Sequence, residues 1–565
     1  MNDSERRTQC VEHYRRVLPC LSDYVTHWSR IRPRDAALIE HDTGAVVSWR
    51  EFDRAVEAFA ATLLACGLRK GDVVATSLPF VKEHVFLTYA CFRTGVIIAP
   101  LDLRLKAIEI NDAFARIRPK ACFCLGHTPR ADFRPIVREV MGANPECRLW
   151  VQFQADRDGV LPGAVHVRDF ARDIKRRFIV SRLTGSVRRA RRLVGPRDAA
   201  LIIFTTGSTG TPKPALLCHE NVLVQNIGQA VAFEMVPGDR MLVNMPPSHV
   251  GGQTEQLMTS LYAGASVVLL PVFDARTSLE AIQRHRVTAC GAIPAGLQMQ
   301  WRVPDYASFD LSSLRMAIYG GQTVDKPFLD KLRAMATQIG TGDGLTEVAG
   351  FCTYTPGDWG PDEILQSIGF DSPLCPISIR EPMNEDGTAG AVKPPGEVGD
   401  ICFEGPQVFL GYLNDPEATR KTISLEGIIY TGDLGSYDHT GLHLASRRSF
   451  VIKPQGFLVF PGEVEQFITE AFKDRIATTC CVGVPHPVRS EAIVAFVELK
   501  PLATLDPGEL DRKLLEIAAY KRPSHVVFVE EGALPLNRVL KVDVPAVRRM
   551  AEAEVATLAA SGRWE

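Results

Sequence analysis

Along the chain, short β-branched runs alternate with longer stretches whose apolar positions return at helical spacing. Residues 49–66 predict a helix, opened by Ser48-x-x-Glu51, a pair able to cap each other's backbone, and 72–77 predict a strand. The same beat gives a helix over 81–95 and a strand over 96–100, and it recurs through 221–232, 240–244 and 266–270. Strands spaced by helices predict parallel sheets covered on both faces. Turn residues crowd 432–441 (Gly432-Asp433, Gly435, Asp438 to Gly441), and past Ser446 a tighter rhythm sets in, over 457–460, 463–471, 478–484 and 492–499. The pattern predicts an α/β fold. A large N-terminal body (1–446) has mixed and parallel sheets flanked by helices, and a small α+β C-terminal domain follows (447–565).

Length and charge narrow the classes. A chain of 565 residues exceeds a single hydrophobic core. With 64 Lys and Arg against 66 Asp and Glu, no overall field favours nucleic acid. The start, MNDSERRTQC, lacks the apolar stretch of a signal peptide. The most apolar long segment, 85–101, is broken by Arg93 and too short to span a bilayer. Arg563-Trp564-Glu565 matches no peroxisomal address. A cytoplasmic location is expected, without a transmembrane segment. The 14 cysteines form no metal-binding spacing, which predicts reduced thiols packed as small hydrophobes. The adjacent Cys480-Cys481 could be a redox pair, but their apolar surroundings read as a buried strand. One segment departs from the even charge balance. Residues 172–197 are crowded with arginine, reading either as a solvated loop or short surface helix, or as a contact with membrane phosphates or a partner.

The strongest chemical signal is Leu201-Ile-Ile-Phe-Thr-Thr-Gly-Ser-Thr-Gly-Thr-Pro-Lys213. A hydrophobic strand enters a loop in which Gly207 and Gly210 stand among the hydroxyls of Thr205, Thr206, Ser208, Thr209 and Thr211, and Lys213 closes it. Glycines let amides turn toward an anion, and hydroxyls and a cation add to the cradle, so the composition suits a polyphosphate. The Walker spacing is absent, and by composition alone the stretch could equally be a linker.

The wording of the loop resembles the phosphate loop of the adenylate-forming (AMP-binding) superfamily, and further motifs of that family follow in order between about residues 40 and 545. Asn244-Met-Pro-Pro-Ser-His249-Val250-Gly251-Gly252 resembles the segment lining the carboxylate pocket, although His249 could also be a structural histidine. Asp343-Gly344-Leu345-Thr346-Glu347 resembles Tyr-Gly-x-Thr-Glu, and Gly320-Gly321-Gln322-Thr323 stands where that family has Gly-Gly-Ala-Pro. Tyr430-Thr431-Gly432-Asp433 resembles the ribose-binding sequence, and the run from Gly396 through Gly405-Pro406 to Gly411-Tyr412 the stretch before it. Ser446-Arg447-Arg448-Ser449-Phe450-Val451-Ile452-Lys453 resembles the interdomain hinge, Gln455-Gly456-Phe457 the flank of the thiol tunnel, and 534–541 the terminal motif ending in the catalytic lysine.

The resemblance implies a mobile small domain and an acyl-CoA synthetase of the fatty-acid or aryl-acid ligase branch, using ATP, Mg2+ and CoA. Lys541, Thr346 and Glu347 are then catalytic, with Thr346 on the α-phosphate and Glu347 on magnesium. Thr205 to Gly210, Lys213, Gly320, Gly321, Gln322, Asp343, Gly344, Asp433 and Arg447 hold the nucleotide, Asp433 through the ribose hydroxyls. Ser449 is the pivot, and Lys453, Gln455 and Gly456 border the thiol path. The sequence departs from the pattern at Asp343, where the family has an aromatic residue, and at Gln322-Thr323, Pro214, Phe450 and Leu540.

The stretch 246–253 carries no acid to pair with a substrate ammonium. An unpaired buried ammonium is costly, so the expected substrate is an apolar acyl or aryl acid rather than an α-amino acid. CoA is the expected acceptor because no carrier module follows the small domain. An acyl carrier protein as recipient, and a non-catalytic adenylate-binding relative, are the alternatives. Oligomeric state is open between monomer and homodimer.

Overall fold

In the computed structural model, which describes residues 3–205, 212–447, 450–452, 454, 459–486, 490–537 and 541–564, the predicted beat is realised closely. The helix Trp49–Ala65 opens on a reciprocal capping box. Ser48 Oγ accepts from the Glu51 amide (3.3 Å) and Glu51 accepts from the Ser48 amide (2.9 Å), a device whose hydroxyl alone is worth about 1 kcal/mol. Its Phe52, Val56, Phe59 and Leu63 are buried at helical spacing. The helix Lys82–Thr94 stops at Gly95, whose φ of 74° suits glycine.

Two seven-stranded sheets form the body. The first runs Ala164–His166, Leu149–Phe153, Ala121–Leu125, Val73–Ser77, Ile97–Pro100, Ala199–Thr205, Lys213–Cys218. The second runs Gln338–Gly340, Met316–Tyr319, Ala289–Ala292, Arg240–Val243, Ser266–Leu269, Ala36–Glu40, Val46–Ser48. Each is parallel except for one antiparallel pair at its edge, and the strands read as continuous apolar runs because both faces are covered. Alternate residues serve different cores. Val74, Ile98, Met241, Val243, Val267 and Leu269 face a shared interior with helices Trp49–Ala65, Lys82–Thr94 and His219–Ala232. Their neighbours Val73, Ala75, Ile97 and Ala99 line one outer core, and Leu242 and Val268 another. That is the period-2 signature of strands sandwiched between helices.

The turn-rich reading of 432–441 is corrected. Ile429–Asp438 and Gly441–Arg447 are the last two strands of a four-stranded antiparallel sheet begun by Ile377–Arg380 and Gly399–Phe403, and only the short link after Asp438 is a turn. Gly435 is a strand residue because a Cβ there would meet the His443 carbonyl. Past this sheet a separate three-stranded one forms. Ile476–His486 pairs antiparallel with Ser490–Leu499, which pairs parallel with His525–Val529, and helices Pro461–Ala471, Pro507–Leu514 and Val544–Ala560 accompany it. Cys481 packs into the core on one side of this sheet and Cys480 into the core on the other, so adjacent position on a strand sends the two thiols apart. Thirteen of the fourteen cysteines are buried, Cys66 being exposed. The arginine-rich segment forms two helices, Ile174–Thr184 and Ser186–Arg192. Among the described residues no helix is long and apolar enough to cross a membrane.

Candidate active site

The loop singled out in the sequence joins the antiparallel edge strands of the first sheet, where Thr205 pairs with Lys213. Thr206, Gly207, Ser208, Thr209 and Gly210 lie outside the described residues. The strand leaving the loop is flanked by the segment 410–413. Leu216 donates to the Gly411 carbonyl (3.0 Å), Leu410 donates to the Leu216 carbonyl (2.9 Å), and Leu413 donates to the Pro214 carbonyl (2.9 Å). Pro214, a departure from the family pattern, joins this contact through its carbonyl alone. These contacts set Tyr412 beneath Lys213, whose ammonium is 5.2 Å from the ring centre.

Tyr412 reaches the second motif. Its hydroxyl donates to Glu347 Oε1 at 2.6 Å, and the Phe409 amide donates to the Glu347 carbonyl (2.9 Å). Burial and the Glu347 carboxylate beside it push the Tyr412 phenol far up, so it stays a proton donor. Glu347 stands in the single turn Thr346–Val348, after the short strand Gly344–Leu345, and Gln407 clamps the far side by donating to the carbonyls of Val348 (2.9 Å) and Phe351 (2.7 Å). Gly342 and Gly344 are needed for closeness, because a Cβ on either would run into the Thr353 or Gly350 carbonyl. Asp343 between them is held through its backbone, its amide donating to Thr353 Oγ1 (2.8 Å) and its carbonyl accepting from Cys352 (2.8 Å).

The small domain delivers Lys541 to this body. Leu536 and Val542 bridge across a tight loop, in which the Asn537 amide donates to the Lys541 carbonyl (2.7 Å) and the Lys541 amide to Asn537 Oδ1 (3.1 Å). The side chain extends over Gly321. A Cβ on Gly321, whose φ is 92°, would stand 3.1 Å from Lys541 Nζ, so backbone freedom and space both call for glycine at that position. Gly320 is occupied in the same sense by the Phe351 ring. Gln322 is exposed.

His249 belongs to this centre. Its Nδ1 accepts from the Gly251 amide (3.0 Å), which leaves Nε2 as the protonated nitrogen of the neutral ring. Burial, and secondly the Lys541 cation, bring its pKa down to about 4, so the ring is neutral at pH 7. Val250 and Gly251 are buried beside it. Gly252 is fixed by backbone, since a Cβ would sit 2.6 Å from the Met245 carbonyl oxygen. Asp433 is half-buried on its strand and registers opposite Arg447 on the neighbouring one. Ser449, Lys453, Gln455 and Gly456 lie outside the described residues.

Two residues escaped the sequence reading. Tyr412 falls in a motif counted only as structural, 65 positions from the carboxylate it orients. Glu255 lies just beyond the acid-free stretch 246–253, in the π-helix Gly251–Met258, a form that concentrates at functional sites. It keeps accessible surface while every other residue of that π-helix is buried, yet its desolvation lifts its pKa to about 7, against the pull of the Phe351 amide that bonds it. A Cβ on Gly350 would lie 2.7 Å from its Oε1.

Comparison with known proteins shows the family. Residues 25–413 match the AMP-binding enzyme family and 463–541 the AMP-binding enzyme C-terminal domain. The chain is 30% identical to the indoleacetate–CoA ligase of Aromatoleum aromaticum, over 94% of this chain and 98% of that one. It is 28% identical to the feruloyl-CoA synthase of an Amycolatopsis species, again over 94% and 98%. The crystal structure of ATP-bound MatB from Rhodopseudomonas palustris shares the fold, with a TM-score of 0.76 at 22% identity, over 94% of this chain and 99% of that one. The chain belongs to the AMP-binding enzyme family, in its acyl-CoA synthetase branch.

Proposed function

We propose that the crevice bounded by Lys541, Gly321, His249 and Glu347 is where this ATP-dependent acid–CoA ligase joins a carboxylate to the α-phosphate of ATP. The observation that carries the proposal is the reach of Lys541 from the small domain across Gly321, beside neutral His249. When a carboxylate oxygen attacks the α-phosphorus and pyrophosphate leaves, charge gathers on the phosphoryl oxygens, and positioned cations and donors lower that barrier. Lys541 supplies a cation, Thr346 a hydroxyl, and the 205–213 loop its amides, hydroxyls and Lys213. Glu347 fits a magnesium ion, because a carboxylate oxygen oriented by Tyr412 is the kind of ligand a hard cation takes. Asp433 and Arg447 serve the ribose and phosphate side.

For the second half-reaction the acyl-adenylate passes its acyl group to the CoA thiol, and Lys541 stands in the way of an approach past Gly321. A turn of the small domain about Ser449, at the 446–447 boundary, withdraws it and brings Lys453, Gln455 and Gly456 to border the thiol path. On the acid side, Val250, Gly251 and Gly252 offer an apolar floor for an acyl or aryl chain, and Glu255 is a hydrogen-bonding group farther along the same helix. An acid carrying a hydroxyl or amino group on its chain or ring is thus the best fit.

The test is pyrophosphate release from ATP and magnesium with a panel of plain, hydroxylated and amino-substituted aliphatic and aromatic acids, with and without CoA. Release that rises with CoA for one substituted class is expected. Release indifferent to CoA would point to a carrier-protein acceptor, and none with any acid would contradict the proposal.

A further inference from the structure

The arginine-rich segment takes no part in the site above, yet it is built as an ordered hairpin. The helix Ile174–Thr184 ends at Gly185, in the left-handed region (φ 67°), and Ser186–Arg192 returns. The underside is tied to the body. The buried Ser181 hydroxyl accepts from Ser186 Oγ (3.1 Å), Val187 is buried, Arg191 bonds Asp23 through Nε (2.7 Å), and Lys70 donates to the Leu193 carbonyl (2.7 Å). Arg177 turns inward against Cys66.

The outer face is different. Lys175, Arg176, Ile179, Arg182 and Leu183 are all exposed, and at 100° per residue they share one side of the helix. On this face Leu183 is 82% and Ile179 57% exposed, a costly display of apolar surface, and Leu193, after the second helix, is 69% exposed. Across 172–197 the chain carries ten Lys and Arg against the single acid Asp173, although its overall charge is −2. Arg176, Arg182 and Arg188 make no ion pair among the described residues. Beside the hairpin opens a cleft of about 540 Å³, floored by Leu64 and Val180 and rimmed by Arg69, Arg176 and Arg189.

We infer that this hairpin docks the enzyme on an anionic lipid bilayer surface. Each part of the outer face finds its counterpart there. Guanidinium groups meet lipid phosphates, their methylene stems lie along the interface, and Ile179 and Leu183 enter the acyl boundary. A nucleic acid or an acidic protein tail would satisfy the arginines but leave the apolar side chains without a partner. The anchored underside keeps the face formed before it binds, so little ordering opposes the contact.

The test uses the full-length protein, sedimented with vesicles of phosphatidylcholine alone and of phosphatidylcholine mixed with phosphatidylglycerol, at low and high salt, with a duplex oligonucleotide as a second ligand. Binding to the anionic vesicles alone, reversed by salt, is expected. The variant Arg176→Ala/Arg182→Ala/Arg188→Ala should bind about a hundredfold more weakly, roughly fivefold per cation removed. Leu183→Ser should lose about threefold to tenfold on vesicles and nothing on the oligonucleotide. These side chains are remote from the reaction, so thioester formation in solution should match the parent, which certifies folding. Failure to bind anionic vesicles at low salt, or undiminished binding by the triple variant, would overturn the inference. So would an oligonucleotide bound as tightly as vesicles with Leu183→Ser affecting neither.

Discussion

The body and the small domain each contribute half of the proposed reacting centre, and they hold it in opposite ways. In the body, Glu347 is held by the Phe409 amide on its carbonyl and the Tyr412 hydroxyl on its carboxylate, Gln407 ties down the neighbouring Val348 and Phe351 carbonyls, and Lys213 is set by a strand laced to 410–413. In the small domain, Lys541 is held locally by Asn537 and meets the body across a bare glycine. On the proposed mechanism the body's groups are preorganised and stay. The lysine is placed by how the small domain docks, and a site assembled that way can be disassembled for a second reaction. Preorganisation favours the rate of one step, and removability lets two steps share one crevice.

Changes where the removable lysine meets the body should be the most damaging and the most selective. Lys541→Ala is expected to slow adenylation by roughly 10²–10³, the scale of losing one donor aimed at developing charge, measured as acid-dependent pyrophosphate release. Gly321→Ala combines a positive φ that disfavours alanine with a methyl in the path of Lys541. Because a lysine tip can shift, a smaller loss of about tenfold to thirtyfold in the same assay is expected. On the fixed side, Tyr412→Phe frees the Glu347 carboxylate from its orienting phenol, and the magnesium concentration needed for half-maximal rate should rise about tenfold. Glu255→Leu should leave the best rate near that of the parent. Its preference, read as kcat/KM across the acid panel, should move roughly tenfold from hydroxyl- or amino-bearing acids toward plain ones.

The last prediction leaves the reaction alone. Glu465 accepts from the Cys481 amide (2.7 Å) and is lifted by burial to about 7. Between its ordinary value of 4.5 and 7 the unfolded chain releases this proton and the native domain keeps it, so stability falls as pH rises through that window. Glu465→Gln should therefore be more stable than the parent above pH 7 by roughly 1–3 kcal/mol and no more stable near pH 4, as read by thermal melts.

Much of this candidate centre could be proposed from the sequence because its parts are local. The 205–213 loop, Thr346-Glu347 and Lys541 each sit in a short run whose wording resembles a family motif. Tyr412 and Glu255 were not legible, because what they do depends on partners brought near only by the fold: Glu347 for one, Gly350 and Phe351 for the other. The strand Ile429–Asp438 was hidden for a related reason. Gly432 and Gly435 look like turn residues, but Gly435 is there so that two strands can approach. The paired sheets were predicted from periodicity, whereas the order of strands within them follows from which edges meet, and no local pattern records that. Asp343 in an expected aromatic slot remains a departure that the backbone contacts around it do not explain.

The most direct measurement separates the two half-reactions in Lys541→Ala, following pyrophosphate release from acid and ATP, and thioester formation from CoA and acyl-adenylate prepared beforehand. The account predicts that the first falls at least a hundredfold while the second stays within about threefold of the parent. Equal losses in both, or near-normal pyrophosphate release, would contradict the assignment of Lys541 to a removable half of the site.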